Sequence, residues 1–327
     1  MNNAKVDLHL HLDGSLNTVW AYKKALQRNV IEKDCSYEDF YNMLFTNNNA
    51  DNKTTFSKFD LTCALLQEYE DLYEATYDLC KRLNDQGLIY AEIRYASQQH
   101  TKKGLTQLDS LKAVIGGANK AMEDFPIKVG IINCFMHKGD SAKFNHNENL
   151  ETIECSKQMY GKGLVGMDIA GYENNCALLD YKYLFDLVKQ EGIPFTVHAA
   201  EMGIGSHIMD ALSFKPNRIG HGIDCIQDES YLKAVVDSQI PLEVCVTSNI
   251  KNTMNYASHP IRRLIAAGCN VTINTDNMMF ALTSLENEYD QLRMIGISDD
   301  VIQQCKINSI KAAFCDDELK KQLLEKI

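Results

Sequence analysis

Two histidines stand two residues apart near the start of the chain, His9 and His11, in the run Val-Asp-Leu-His-Leu-His-Leu-Asp-Gly-Ser at 6–15. In a strand, residues i and i+2 point to the same side, whereas a helix turns them about 200° apart. A strand here projects both imidazoles to one side and Leu8, Leu10 and Leu12 to the other, and it breaks at Gly14. Two same-face histidines at the C-terminal end of an early strand can begin a metal site. They are equally what a half-buried strand carries when its rings only satisfy backbone groups. The residues at the ends of other short apolar runs decide between the two.

Those ends carry matching chemistry: Asp168 and Gly171, then His198-Ala-Ala-Glu201, then His221, then Asp276-Asn277. His9, His11, His198 and Asp276 would supply three nitrogen donors and one oxygen donor. That set suits a single Zn²⁺ with one position open for water, and such a metal lowers the pKa of water to about 7. Glu201, three residues past His198, reaches the same pocket as a proton donor, and His221 can orient or deprotonate the water. Each has a plainer reading alone. Glu201 could cap the next helix, His221 could serve a Gly-His-Gly turn, and Asp276 could be an N-cap. Their common fall at strand ends is the argument for a site. Asp168 reads as support for the metal or as an ion-pair partner of Arg94. His100, His137, His146 and His207 fall in polar loops or helix starts, where solvation or local hydrogen bonding is expected. His259, before Pro260, is expected to cap a helix.

Eight β-rich runs position these groups: Val6–Leu12, Ile89–Tyr95, Lys128–Phe135, Leu164–Ala170, Pro194–Ala200, Arg218–Gly220, Ile240–Thr247 and Asn270–Asn274. Helical periodicity separates them, as in Leu105–Asp124, Ala177–Glu191, Ser230–Ser238 and His259–Ala267, and Gly87, Gly192 and Gly268 read as glycines just past helix ends. Strand alternating with helix predicts an α/β fold with a parallel sheet. Eight units predict a (β/α)8 TIM barrel with its site at the strands' C-terminal ends; an open doubly wound sheet is the alternative. The barrel is expected to be a single domain over 1–327, with a helical insertion after the first strand at about 16–88. Within it Asp39–Leu66 reads as a helical lid. Phe56 and Phe59 are candidates to cover a flat apolar ligand, or else to pack only on the outer helices.

The composition excludes other classes. The chain has 327 residues, 45% hydrophobic and 24% charged, enough for a large core. A net charge of −11 opposes non-specific attraction to nucleic acid or an anionic membrane. Eleven cysteines, an odd number without a C-x-x-C, read as buried thiols in a reducing compartment. No signal peptide and no apolar run near 18 residues is visible, so a cytoplasmic location is expected. No Gly-rich phosphate cradle occurs.

Eight stretches together, in this order, resemble the adenosine deaminase family of the amidohydrolase superfamily over nearly the whole chain. They are 6–15 above, Lys-Phe-Asp at 58–60, Tyr-Ala-Glu-Ile-Arg-Tyr at 90–95, Gly-Met-Asp-Ile-Ala-Gly at 166–171, Val-His-Ala-Ala-Glu at 197–201, Arg-Ile-Gly-His-Gly at 218–222, Glu-Val-Cys-Val-Thr-Ser-Asn at 243–249 and Thr-Ile-Asn-Thr-Asp-Asn at 272–277. The resemblance implies one Zn²⁺ per chain on His9, His11, His198 and Asp276. It implies a small purine nucleoside as partner, adenosine or 2′-deoxyadenosine, deaminated to inosine and ammonia in purine salvage. Glu201 is implied to protonate N1, and His221 to hold or deprotonate the attacking hydroxide at C6. Asp276 is implied to take up a proton. His11 is counted among the substrate contacts, the Gly171 N–H is implied to meet N3, and Asp13 to hold the 5′-hydroxyl. Glycine at 171 would let backbone approach the ring.

Two positions depart from the family pattern. Asn277 stands where a second aspartate is common, and its amide can donate to N7 without first taking a proton. Ala200 stands where glycine is common, and its methyl would crowd the substrate or the Glu201 backbone. The resemblance leaves room for a related deaminase acting on adenine, a 5′-modified adenosine or 6-aminodeoxyfutalosine. A two-metal hydrolase bridged by a modified lysine would need Lys at the end of the fourth strand, which has none. The zinc deaminase fold with H-x-E and P-C-x-x-C lacks both motifs here. A non-catalytic binding relative would carry damaged ligands or a secretion signal, and neither is seen.

Overall fold

A computed structural model describes residues 4–45, 52–250 and 255–327, with the side chains of 52–57 outside that description. Its strands are β1 (Lys5–His11), β2 (Leu88–Tyr95), β3 (Lys128–His137), β4 (Leu164–Gly171), β5 (Thr196–Ala199), β6 (Arg218–His221), β7 (Leu242–Val244) and β8 (Val271–Ile273). All pair parallel, in two four-stranded halves ordered β1-β2-β3-β4 and β5-β6-β7-β8. Every residue of β1 is buried, as expected of a strand covered by helices outside and by side chains along the barrel axis.

The halves join at two seams. At one, the Met167 N–H donates to the Pro194 carbonyl (3.0 Å). At the other, Asp276 bridges back to β1. Its N–H donates to the His9 carbonyl (2.7 Å), and its carbonyl accepts from the His11 N–H (2.8 Å). Barrel closure therefore brings Asp276 between the two histidines of the opening run.

The chain between β1 and β2 forms four helices, α1 (Thr18–Gln27), α2 (Tyr37–Leu44), α3 (Asn52–Leu65) and α4 (Tyr69–Asp85). Asn17 and Ser36 cap α1 and α2 with their side-chain oxygens. Lys24 of α1 and Arg28 just past its end hold the buried Asp71 of α4 at 2.6 and 2.8 Å. The crossovers use α5 (Gln107–Asp124), α6 (His146–Met159), α7 (Lys182–Gln190), α8 (His207–Ser213), α9 (Glu229–Ser238), the short α10 (Val246–Asn249) and α11 (Ile261–Ala267). Thr106 and Asp109 form a capping box on α5. Then α12 (Leu285–Met294), α13 (Asp299–Ala312) and α14 (Asp317–Leu324) complete the chain. No helix among the described residues is long and apolar enough to cross a membrane. All eleven cysteines are free, eight of them buried.

Several boundaries differ from expectation. β3 runs on to His137. The seventh run keeps only three strand residues, because the chain turns at Cys245 directly into α10. Ala177–Glu191 begins with a tighter 3₁₀ turn over Leu178–Tyr181 before α7. Gly87, Gly192 and Gly268 all adopt the left-handed conformation expected after a helix.

Candidate active site

The residues singled out by position converge at one mouth of the barrel. The Nε2 atoms of His9 and His11 lie 3.5 and 3.3 Å from Oδ1 of Asp276. The His198 ring packs 4.6 Å from His9 and 5.4 Å from His11, and the His221 ring 4.7 Å from His9. Ligand-capable atoms of His9, His11 and Asp276 fall within 4.8 Å of one another, as do those of His9, His198 and His221.

Local backbone geometry aims these groups. His221 and Asp276, each just past or at a strand end, adopt left-handed φ of 61°, and Ala200 adopts 54°. A left-handed residue costs about 1–2 kcal/mol when it carries a Cβ. Such conformations persist where surrounding structure holds them, and they collect at functional sites. For Ala200 the departure from glycine is therefore a backbone matter, since its methyl is fully buried on a strained turn.

Beneath the histidines lies a layer of buried charge. Glu243 accepts from His9 Nδ1 (2.8 Å), Arg94 Nη2 (2.8 Å) and Arg218 Nε. Asp168 lies 2.8 Å from His198 Nδ1 and 2.6 Å from Arg94 Nη1. Asp168 is thus ion-paired with Arg94, one of the two readings its position offered. Arg218 also donates to Glu92, and its guanidinium stacks 3.6 Å from the Phe314 ring centre. The Glu243 carboxylate at Nδ1 of His9 fixes that ring's tautomer, leaving the lone pair on Nε2, as is usual for metal-binding histidines.

These surroundings test whether a Zn²⁺ fits. His9 Nε2 is buried and has no hydrogen-bond partner. Burial holds His11 well below its ordinary pKa, so the ring is neutral and its nitrogen can donate to a metal. Burial works against charge on His198 too, but the Asp168 carboxylate overrides it and raises the ring's pKa. Asp276 is held well below the carboxylate range despite its burial, first by the His9 ring and then by the His11 and His221 rings, so it stays an anion. Ser248 Oγ donates to its other oxygen. Three imidazoles and one carboxylate, with a buried nitrogen lacking a partner, fit a Zn²⁺.

His221 lies with Nε2 3.6 Å from Glu201 Oε2, and the amide nitrogen of Asn249 meets its Nδ1 at 3.0 Å. An amide N–H donating to Nδ1 leaves the ring proton on Nε2, toward Glu201. Burial pushes His221 down to about 4. Asp13 is buried, with burial raising its carboxyl to about 6. Cys63 of α3 donates to its Oδ2 at 3.5 Å, and its Oδ1 has no partner. The Phe59 ring sits 6.4 Å from His11 and 4.9 Å from Phe280, so it faces the mouth and does not pack only on outer helices. Phe56 lies on α3, but its side chain is outside the described residues.

Gly171 is placed as expected, but for another reason. At φ 120° a Cβ would come 2.6 Å from the His137 carbonyl, so the neighbouring strand β3 also demands glycine. Asn277 fills the space where a Gly14 side chain would stand, so that a Cβ there would overlap its amide, and its Oδ1 is buried without a partner.

The remaining histidines correct the expectation of solvation. His100, His137 and His207 are buried. Nδ1 of His100 donates to the Leu66 carbonyl, that of His207 meets Glu173, and His137 Nε2 meets Cys176 Sγ at 3.2 Å. His146 bonds Tyr183 across to α7. His259 does cap its helix, accepting from the Ile261 N–H. Sequence reasoning left Glu243, Asn249, Arg218, Glu92 and Glu173 without roles. A signal existed for the first four, since each interrupts an apolar strand run or follows one.

The chain matches the adenosine deaminase family model over residues 4–327. It is 37% identical over 330 residues to the adenosine deaminase of Haemophilus ducreyi, covering 98% of this chain and 95% of that one. It is 33% identical to that of Clostridium acetobutylicum, covering 100% and 98%. Among solved structures it is similar to the adenine deaminase of Arthrobacter aurescens, with a TM-score of 0.87, 25% identity and coverage of 98% and 97%. A whole-chain family match and relatives above 30% identity, on a barrel whose strand ends gather histidines and acids, lead to one conclusion: this chain belongs to the adenosine deaminase family, enzymes that deaminate by hydrolysing a carbon–nitrogen bond.

Proposed function

We propose that this enzyme hydrolyses adenosine and 2′-deoxyadenosine to inosine or deoxyinosine and ammonia. One Zn²⁺ would be held by His9, His11, His198 and Asp276. The observation that carries the reading is the cluster at the β1–β8 seam, where buried His9 Nε2 and His11 Nε2 share one Asp276 oxygen. When bound, the metal supplies Lewis acidity that lets water lose a proton near neutral pH.

The chain's own residues do the rest. Glu201 gives a proton to N1, which draws electrons from C6 and makes it electrophilic. His221, neutral and held by Asn249, orients the incoming oxygen at C6. Asp276 accepts the proton of the incoming oxygen and passes it to the amine, so that C6 becomes a carbonyl as the C6–N bond breaks and ammonia leaves, and the other proton of the water restores Glu201. Asn277 donates to N7, and the Gly171 N–H meets N3. His11 and Phe59 line the space beside the purine, while α2 and α3 serve as a lid that also carries Phe56.

A nucleoside is favoured over a free base because Asp13 presents a buried acceptor, Oδ1, without a partner. It suits a 5′-hydroxyl donor, and a 5′-phosphate would meet like charge. The test combines metal analysis by mass spectrometry with loss of adenosine absorbance, run beside adenine, AMP and 5′-methylthioadenosine. Protein that holds zinc and leaves adenosine unchanged overturns the reading. Faster turnover of adenine would place the substrate among free bases.

A further inference from the structure

Glu173 lies in the loop after β4, two residues beyond Gly171, and is 4% exposed. Its carboxylate reaches across to the loop after β5. Oε1 accepts from the Ala200 N–H (2.6 Å), and Oε2 from those of Glu201 (3.0 Å) and Met202 (3.1 Å). Three successive N–H groups can converge on one anion only where the backbone curls. The left-handed Ala200 supplies that curl, forming a nest of the kind that binds anions. A fourth bond comes from His207 Nδ1, 2.7 Å from Oε1. Next to Glu173, the Asn174 amide donates to the Met202 carbonyl at 3.2 Å, so the two loops are tied twice. Gly171 is itself wedged against His137 of β3. Burial opposes charge on Glu173, yet the His207 bond and the backbone N–H bonds hold its carboxyl below the usual range.

We propose that Glu173 is a positioning residue that holds Glu201 at a set distance from Gly171, so that the two read N1 and N3 along one edge of the purine. This rests on the roles proposed above for Glu201 and Gly171. Glu173 touches neither substrate nor metal. It fixes where the proton donor stands, and a displacement near 1 Å can cost about 10²-fold in rate.

The experiment is a double-mutant cycle with zinc content measured throughout. E173Q keeps the shape, but its NH₂ turns toward a backbone N–H and the anion is gone. E173Q is expected to lower kcat about 10- to 100-fold with KM within about 3-fold. In the E201Q background the same change should alter kcat by less than about 3-fold, because the group it positions is already disabled. Unchanged kcat in E173Q overturns the proposal, and so does an equal loss in both backgrounds, which would mark a general structural role. If E173Q does not fold, H207L removes only the fourth bond and enters the same cycle. There a kcat loss of about 3- to 10-fold confined to the Glu201 background supports the proposal, and any other result sinks it. E201Q alone reports separately on Glu201, since full activity there refutes its role as proton donor.

Discussion

The barrel interior holds two charged layers that treat charge differently. In the lower one, Glu92, Glu243 and Asp168 are each met by a guanidinium, from Arg94 or Arg218, and all five side chains are fully buried. In the upper one, His9 Nε2, Asp13 Oδ1 and Asn277 Oδ1 are buried without partners, beside backbone held in left-handed turns. A buried polar atom left unsatisfied costs about 1–3 kcal/mol. Among these five side chains the lower layer leaves only Arg94 Nε without a partner, and it builds the barrel. The upper layer leaves three such atoms at the mouth, where a bound metal or substrate would satisfy them.

Five measurements break or sharpen this contrast. E201Q in the upper layer should cut kcat about 10²- to 10⁴-fold, while metal content and melting temperature stay at wild-type values. Breaking the lower layer should act on stability as well. E243Q leaves Arg94 and Arg218 short of a counter-charge and should cost about 3–5 kcal/mol in urea unfolding; a stability within about 1 kcal/mol of wild type would show that the layer is dispensable.

Unpartnered nitrogens outside the proposed ligand set give a third test. His100 and His259 each bury an Nε2 without a partner, and burial pushes both rings down to about 4. The unfolded chain takes up these protons near the ordinary value of 6.5 and the folded chain does not. Stability therefore falls as pH drops from 6.5 through 4, by about 3 kcal/mol per ring at most. H259N keeps the cap acceptor and should flatten that acid limb. Smaller again, D13A should raise KM for adenosine about 10- to 100-fold and leave adenine unaffected, the loss expected for a hydrogen bond to a charged group. Equal losses on both would remove the ribose contact. Last, A200G should stabilise the fold by about 0.5–1 kcal/mol by relieving the left-handed turn. Thermal unfolding would register it, and a destabilised variant would show that the alanine methyl packs better than its strain costs.

Much of this was legible in the chain. Eight runs marked eight strands because parallel strands buried on both faces read as short apolar segments between amphipathic helices. The histidines and acids at their ends stood out because they break those runs. What stayed hidden involved partners distant in sequence. Arg218 and Glu92 pair across 126 positions, and Glu173 meets the turn at Ala200 through backbone N–H groups that no residue type reveals. His137 reads as a loop residue because Met136 and the Lys138-Gly139 pair that follows carry no clear strand signal.

The opening run by itself determined that His9 and His11 share a face, because the period of a strand is two. Their order with His198, Glu201, His221 and Asp276 determined the family. Only the tertiary structure decided which oxygen the two rings share, since that depends on the seam where Asp276 pairs with the backbone of both. It alone decided why residue 171 is glycine, and what holds Glu201 in place. Spacing along a strand is local and can be read from the chain, whereas closure of a barrel joins residues more than 260 positions apart.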